Sequence, residues 1–346
     1  MKTLLSILTL LVSSISIYAQ SAKKEYHESF EAKEITELIV SNQYGMIEVI
    51  QGAGDSVKID AVISVTAKKE SKANDLIFYI EVVEQFDEGR LNIRTDFGKD
   101  MSISRTFSGV DIAVDYRVEL PVGLKLRLIN ADGNVFMENF DGELNVDLRA
   151  SNFKANRLKG DFLIKQSGGE FSAEEVDKMV GDFRSTSLMI EEGYDINLTT
   201  NGGSYVVKST EKLYVKSNGG AMRLGEIEHM SGVSVGTKYE IADIGDVLKM
   251  NLSRGEINVR NIHFSFSDVD LKTAYTKVGL TFMKGAGYHL ELKHNKTMKL
   301  DIPSNFKLSE QAGSESGVLL KTGFVGDKKY NAKVMLDLRY GNMFIQ

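Results

Sequence analysis

Polar and apolar residues alternate through most of this chain. In Glu211-Lys212-Leu213-Tyr214-Val215-Lys216, leucine and valine fall on one side while Lys212, Tyr214 and Lys216 fall on the other. Leu248, Met250 and Leu252 alternate with Lys249, Asn251 and Ser253, and Leu290 and Leu292 sit among His289, Glu291 and Lys293. A period of two marks strands with one buried face. Helical spacing is nearly absent. One short helix is predicted within residues 69–80, with Ser71 placed to cap it, and the acidic stretch from Ala173 to Met179 is a second candidate. The expected class is all-β.

The strands also recur. Gly-Gly doublets begin at residues 168, 202 and 219, so their separations are 34 and 17. In that register Val135, Phe153, Phe171, Leu188, Tyr205, Met222, Tyr239, Ile257 and Tyr275 follow successive corners at intervals of 17 or 18. A second set, including Leu144, Phe162, Ile196, Leu213, Leu248 and Phe266, lies roughly midway between them. Corners often read glycine, polar, apolar, as in Gly160-Asp161-Phe162 and Gly255-Glu256-Ile257. A series of hairpins has no reason to hold such a period constant. A coil does, because each turn places equivalent residues above one another, about 4.8 Å apart. The six-residue repeat of a left-handed hexapeptide helix is missing.

The pattern therefore predicts a single-stranded, right-handed β-helix or solenoid of 17–18 residues per turn, with the Val135-to-Tyr275 series as one buried ladder. The expected segments are a signal peptide at 1–19, an N-terminal β region at 20–130 that caps the solenoid, repeats at 131–300, and closing strands at 301–346. The Asn-Gly-Gly triplets at Asn201 and Asn218 become the same corner on successive turns, where Asn and Gly tolerate left-handed backbone. A phosphate cradle would need a helix N-terminus behind the glycines. Strand-like residues follow instead.

Composition adds the compartment. Lys2 and the apolar run from Leu4 to Ile17, ending at Ile17-Tyr18-Ala19, have the form of a secretory signal cleaved after Ala19 or Gln20. No other stretch is apolar enough for a membrane span. Cysteine is absent, which excludes an N-terminal lipid-bearing cysteine and a disulfide framework. The net charge of −6 gives no attraction to nucleic acid or anionic lipid.

The tract DYRVELPVGLKLRLINADGNVFMENFDGELNVDL, the recurring glycine corners, and the opening LIVSNQYGMIEVIQGAGDSVKIDAVISV resemble the bacterial putative-adhesin β-solenoid family, whose relatives include a head domain of autotransporter adhesins. The resemblance runs from about residue 35 to the end. It implies an exported solenoidal protein and brings no catalytic residues. A translocator barrel and a Leu-Pro-x-Thr-Gly sorting signal are not found in the sequence.

Candidate chemistry is sparse. Gly232-Val233-Ser234-Val235-Gly236 matches a nucleophile elbow, but strand-like residues continue on both sides where a helix should follow. Ser151 and Lys154, like Ser304 and Lys307, have a serine–lysine spacing that works only on a helix. Gly52-Ala53-Gly54 and Gly285-Ala286-Gly287 lack the third glycine of a dinucleotide loop and read as turns. His27, His229, His263, His289 and His294 include no pair at helical ligand spacing. Asp268 and Asp270 share a strand face and could offer oxygens to calcium, although a solvated face explains them as well. Tyr194, Tyr205, Tyr214 and Tyr239 are the aromatic candidates for sugar stacking, and Asn197, Asn251 and Asn295 stand in glycosylation-type sequons. No catalytic, cofactor-binding or metal-ligating residue is assigned, and no cofactor is expected. The expected function is a non-enzymatic, exported adhesin or envelope-binding protein that recognises a protein or glycan along its β face. A periplasmic scaffold or envelope-stress partner is the alternative, and a carbohydrate-active β-helix enzyme a more distant one.

Overall fold

The computed structural model describes residues 20–98, 109–313 and 315–346. The signal peptide expected at 1–19 lies outside them.

Alternation and repeat resolve into the same object. Asn152–Ser167, Glu170–Arg184, Ser187–Asn201, Ser204–Asn218, Ala221–Val235 and Lys238–Ser253 are continuous strands of 15 or 16 residues. Each pairs parallel with the next. Phe153 stands beside Phe171, and Leu188, Tyr205, Met222, Tyr239 and Ile257 continue the row. The hairpin alternative, residues 203–208 folding back on 212–216, does not form, because residues 204–208 and 212–216 lie in the one strand Ser204–Asn218.

Each long strand makes two runs of alternating burial with a phase break between them. In Ser187–Asn201 the buried residues are Leu188 and Ile190, then Ile196, Leu198 and Thr200. The two halves face each other across the core. Phe162, from a second half, packs across from the stacked pair of Phe153 and Phe171 from two first halves, at 5.6 and 6.0 Å. Among the described residues twenty-three strands join into one open sheet, because the long strands run through both halves.

The ends depart from the simple repeat. Glu37–Gln43 pairs parallel with Lys125–Ala131, and Met46–Gly52 with Asn134–Asp141. Between these segments the chain makes an antiparallel excursion: Ser56–Ala67 pairs with Val110–Pro121 on one side and Gln20–Glu31 on the other. The outermost strand, Gln20–Glu31, carries Lys23, Lys24, Glu25, His27 and Glu28, charges that discourage a further strand from adding there. At the other end the order is not sequential. Ala332–Ile345 slots between Asp268–Phe282 and Gly287–Asn295, and the antiparallel strands Val318–Gly326 and Ser309–Ala312 follow Gly287–Asn295 at this end.

Outside, charge follows the register. Asp161, Lys178, Asp195 and Lys212 occupy equivalent positions on adjacent strands, as do Asp147, Lys165 and Asp182. Parallel in-register strands bring equivalent residues close together, so alternation of sign turns repulsion into attraction.

Several expectations need correction. Tyr275 is not in the buried ladder: it is 62% exposed, and Val278 pairs with Ile257 in its place. The residues between Ile262 and Asp268 lengthen this turn and move the register. Phe266 is buried, yet Val269 takes the position above Leu248, while Phe266 packs on Phe282 and Tyr288 at 5.3 and 5.8 Å. Ala173–Met179 is not helical; it lies within the strand Glu170–Arg184, where Ala173, Val176 and Met179 are buried. The predicted helix exists as Glu70–Ile77, but Lys69 is its N-cap and no side chain caps it, so Ser71 does not have that role.

Candidate functional site

The rungs turn at a shared corner, and its backbone dictates its residues. Asp132, Ala150, Gly168, Ser185, Gly202, Gly219, Gly236, Arg254, Tyr275 and Tyr340 have φ between +47° and +73° at equivalent places. The next position holds either glycine or a small hydroxyl residue. At Gly203 an added Cβ would lie 2.3 Å from the Thr186 carbonyl oxygen of the preceding rung. Where Ser or Thr stands there, its hydroxyl turns inward and bonds to backbone: Thr186 donates to the Arg184 carbonyl at 3.1 Å, and Thr276 to that of Ala274 at 3.0 Å. The Asn-Gly-Gly triplets are thus corners. Gly202 N–H donates to the Asn218 carbonyl at 2.9 Å, carrying the ladder through the turn.

Ser234, the sequence's best nucleophile candidate, lies inside this corner and is only 5% exposed. Its hydroxyl accepts from Ser217 Oγ at 2.8 Å. Ser217 Oγ in turn lies 3.0 Å from Thr237 Oγ1 and 2.7 Å from the Tyr239 hydroxyl. Burial holds the Tyr239 phenol above its ordinary pKa, opposed by its interactions with Ser217 and Ser234. This is a buried hydroxyl network that satisfies polar groups next to the core. Its partner set contains no general base.

The remaining candidates are dispersed. Ser151 is buried at a corner while Lys154 points outward, and Ser304 and Lys307 lie in an exposed loop. Gly52 ends one strand and Gly287 begins another. His27 pairs with Asp60 at 2.6 Å, His229 with Asp246 at 3.0 Å, and His263 with Ser265 at 2.8 Å. His289 meets the Phe324 ring edge-on at 5.0 Å. Buried His294 bonds through Nδ1 to the Asn295 carbonyl at 2.9 Å. Asp268 shares its outer face with Asp270 and pairs with Lys249 at 2.8 Å. No group of three or more potential metal ligands converges among the described residues. Tyr205 and Tyr239 are core residues. Tyr194 lies under the Lys212 ammonium at 5.4 Å.

Two surface features stand out among the described residues. The first lies on the outer face of the second strand halves. There Tyr214, Val233 and Val235 are 42%, 41% and 45% exposed, and the alternating charges give way to Asn197, Thr199, Asn201 and Asn218. A shallow hollow of about 500 Å³ opens beside Val233, between Arg184, Lys216 and Asn251. The second lies at the corner. Tyr275 and Tyr340, on adjacent strands, stack with ring centroids 4.9 Å apart and planes 15° apart. They are 62% and 51% exposed. Arg254 holds the corner of the preceding rung and is also exposed. Sequence reading missed Arg254, Tyr340 and the valine pair. A usable signal was the glycine or threonine after each corner, at Gly255, Thr276 and Gly341.

The chain is thus a nearly all-β protein built as a long open stack, with its chemistry on the outside. No family model and no curated protein matches it. Among solved structures it is similar to a "putative cell adhesion protein" from Clostridium sporogenes, at 9% identity over 94% of this chain and 99% of that one, with a TM-score of 0.19. It is also similar to a "putative lipid binding protein" from Parabacteroides distasonis, at 12% identity over 68% of this chain and 96% of that one, TM-score 0.36. A "putative adhesin" from Parabacteroides merdae shares 12% identity over 72% of this chain and 90% of that one, TM-score 0.32. These descriptions include the adhesin class that the sequence resembles. Likeness at these identities and scores assigns no ligand and no activity.

Proposed function

We propose that this chain is an exported, non-enzymatic binding protein of adhesin type, built as a right-handed β-solenoid, that recognises a macromolecule along its outer β face. The observation that carries the reading is the field around Tyr214, Val233 and Val235. Elsewhere on this face rows such as Asp161, Lys178, Asp195 and Lys212 line up opposite charges, and here they give way to exposed apolar and amide side chains. Such a lapse marks a surface selected for contact. The core is filled by aliphatic and aromatic side chains, so recognition falls to the outer faces, where shallow hollows suit an extended partner better than a small molecule. The right hand follows from the strong preference of parallel crossovers. Export follows from the signal-like first residues. Among the described residues no helix is long and apolar enough to cross a membrane.

The test is saturable binding of the mature chain to envelope extracts and to a glycan array. Val233→Asp and Tyr214→Asp, both on exposed positions, are expected to abolish retention of the envelope partner while leaving the fold intact. Retention unchanged in both variants would overturn the assignment of this face.

A further inference from the structure

We propose that Arg254, Tyr275 and Tyr340 form a binding site for an acidic saccharide, with the sugar ring against the tyrosine pair and its carboxylate on the guanidinium. The proposal deepens the binding-protein reading and rests on it.

The starting point is a backbone cost with no structural return in sight. The corner requires a left-handed residue, a conformation that disfavours bulky side chains. Gly168, Gly202, Gly219 and Gly236 meet the requirement without strain. Yet three successive rungs near the C-terminal end place Arg254, Tyr275 and Tyr340 there, at φ of +55°, +55° and +54°. None of the three side chains is buried in return, and the tyrosines remain 62% and 51% exposed. Backbone strain retained at exposed, chemically rich side chains is a mark of a functional position.

The chemistry selects the ligand. Stacked phenols offer ring edges and hydroxyls together, which suits a ligand with an apolar ring surface bordered by its own hydroxyls. The pair spans adjacent strands, about 4.8 Å apart. The surrounding charges are already matched. Arg339 binds Glu315 at 3.0 and 3.3 Å and Asp337 at 2.8 Å, and Lys277 binds Glu256 at 2.8 Å. Among the described residues, Arg254 has no carboxylate partner. One arginine without a carboxylate partner, one corner away from the aromatic pair, fits one carboxylate per sugar ring. It does not fit a nucleic acid, which demands many cations.

The corner geometry also supplies a clean experiment, because glycine is the residue this backbone prefers. In the mature full chain, isothermal titration would compare a hexamer of galacturonic acid with a neutral galactose hexamer. The wild type is expected to bind the acidic hexamer roughly tenfold or more tightly than the neutral one. Tyr275→Gly with Tyr340→Gly should lose binding to both with the melting temperature kept or raised. Arg254→Gly should lose only the preference for the acid. Equal affinity of the wild type for the two hexamers would overturn the proposal, as would undiminished binding by the double glycine variant. A double variant that loses its fold, with Arg254→Gly showing wild-type preference, would also overturn it and make the stack structural. Wild-type chain that holds envelope material through the Tyr214 face but ignores both hexamers would sink this inference and spare the broader reading.

Discussion

Ser217 donates a hydrogen bond to Ser234 at 2.8 Å inside the corner of the stack, where the sequence imitates the nucleophile elbow of a serine hydrolase. An activated serine needs a base within reach and an open approach, and Ser234 has a serine neighbour and 5% exposure. A fluorophosphonate probe is therefore expected to leave the folded protein unlabelled. Ser234→Ala removes one acceptor from a network in which Ser217 still meets Thr237 and Tyr239, so its cost should be about 1 kcal/mol. Stoichiometric labelling lost in that variant would make the protein an enzyme.

Leu213 and Lys216 are neighbours in one strand with opposite fates. Leu213 is 1% exposed in the row between Ile196 and Met230, whereas Lys216 is on the outer face. Leu213→Ala should cost about 2–5 kcal/mol, as other large-to-small core changes do, and Lys216→Ala should be nearly silent. Urea titrations giving equal midpoints for the two variants would contradict this assignment of faces.

The contrast between these two residues was legible in the sequence because alternation is local. So was the row from Val135 to Ile257, since every step depends on a corner whose glycine or small residue can be read directly. The row failed at Tyr275 for a physical reason: the segment after Ile262 adds residues to the rung, and the 17-to-18 step becomes 21 between Ile257 and Val278. The ends were harder still. Glu37 pairs with Lys125, and Ala332–Ile345 inserts ahead of an earlier strand, so these contacts join segments far apart in sequence. No local period encodes such pairings. The Tyr275–Tyr340 contact was hidden for the same reason.

The corner makes a sharper prediction from two glycines that look alike in sequence. Gly219 has φ of +71° and open space where a Cβ would be, so Gly219→Ala should cost only the left-handed penalty of about 1–2 kcal/mol. Gly203 has φ of +91°, and its Cβ would press on the Thr186 carbonyl oxygen at 2.3 Å. Gly203→Ala must also push adjacent rungs away from each other, and its loss of stability should be clearly the larger. Because each rung meets mainly its neighbours, hydrogen exchange should locate the damage around Thr186 and Gly203 and leave distant rungs protected. Equal midpoints for the two variants would contradict the stacked corner.

Alkaline pH tests the core from a different side. Tyr205 is 1% exposed and donates to the Gly202 carbonyl at 2.7 Å. Burial, helped by the charge of Asp182, pushes its pKa up to about 12. Tyr116 is also pushed up to about 12 by burial, opposed by its hydrogen bond with Thr95. In the unfolded chain both should titrate near the ordinary value of about 10. Between these limits the unfolded chain has released protons that the folded chain still holds, and this difference favours unfolding. The tyrosine contribution to stability is therefore complete below pH 10 and is lost as pH rises toward about 12. Denaturant midpoints measured at steps across that window should fall, and Tyr205→Phe should make the fall shallower. The same variant leaves the Gly202 carbonyl without its donor, so below pH 10 it should be less stable than wild type by about 1 kcal/mol. The two stability curves should converge as pH rises. Phenolate absorbance showing Tyr205 ionised near pH 10 in the folded protein would mean that this rung is open to solvent and would contradict the buried ladder.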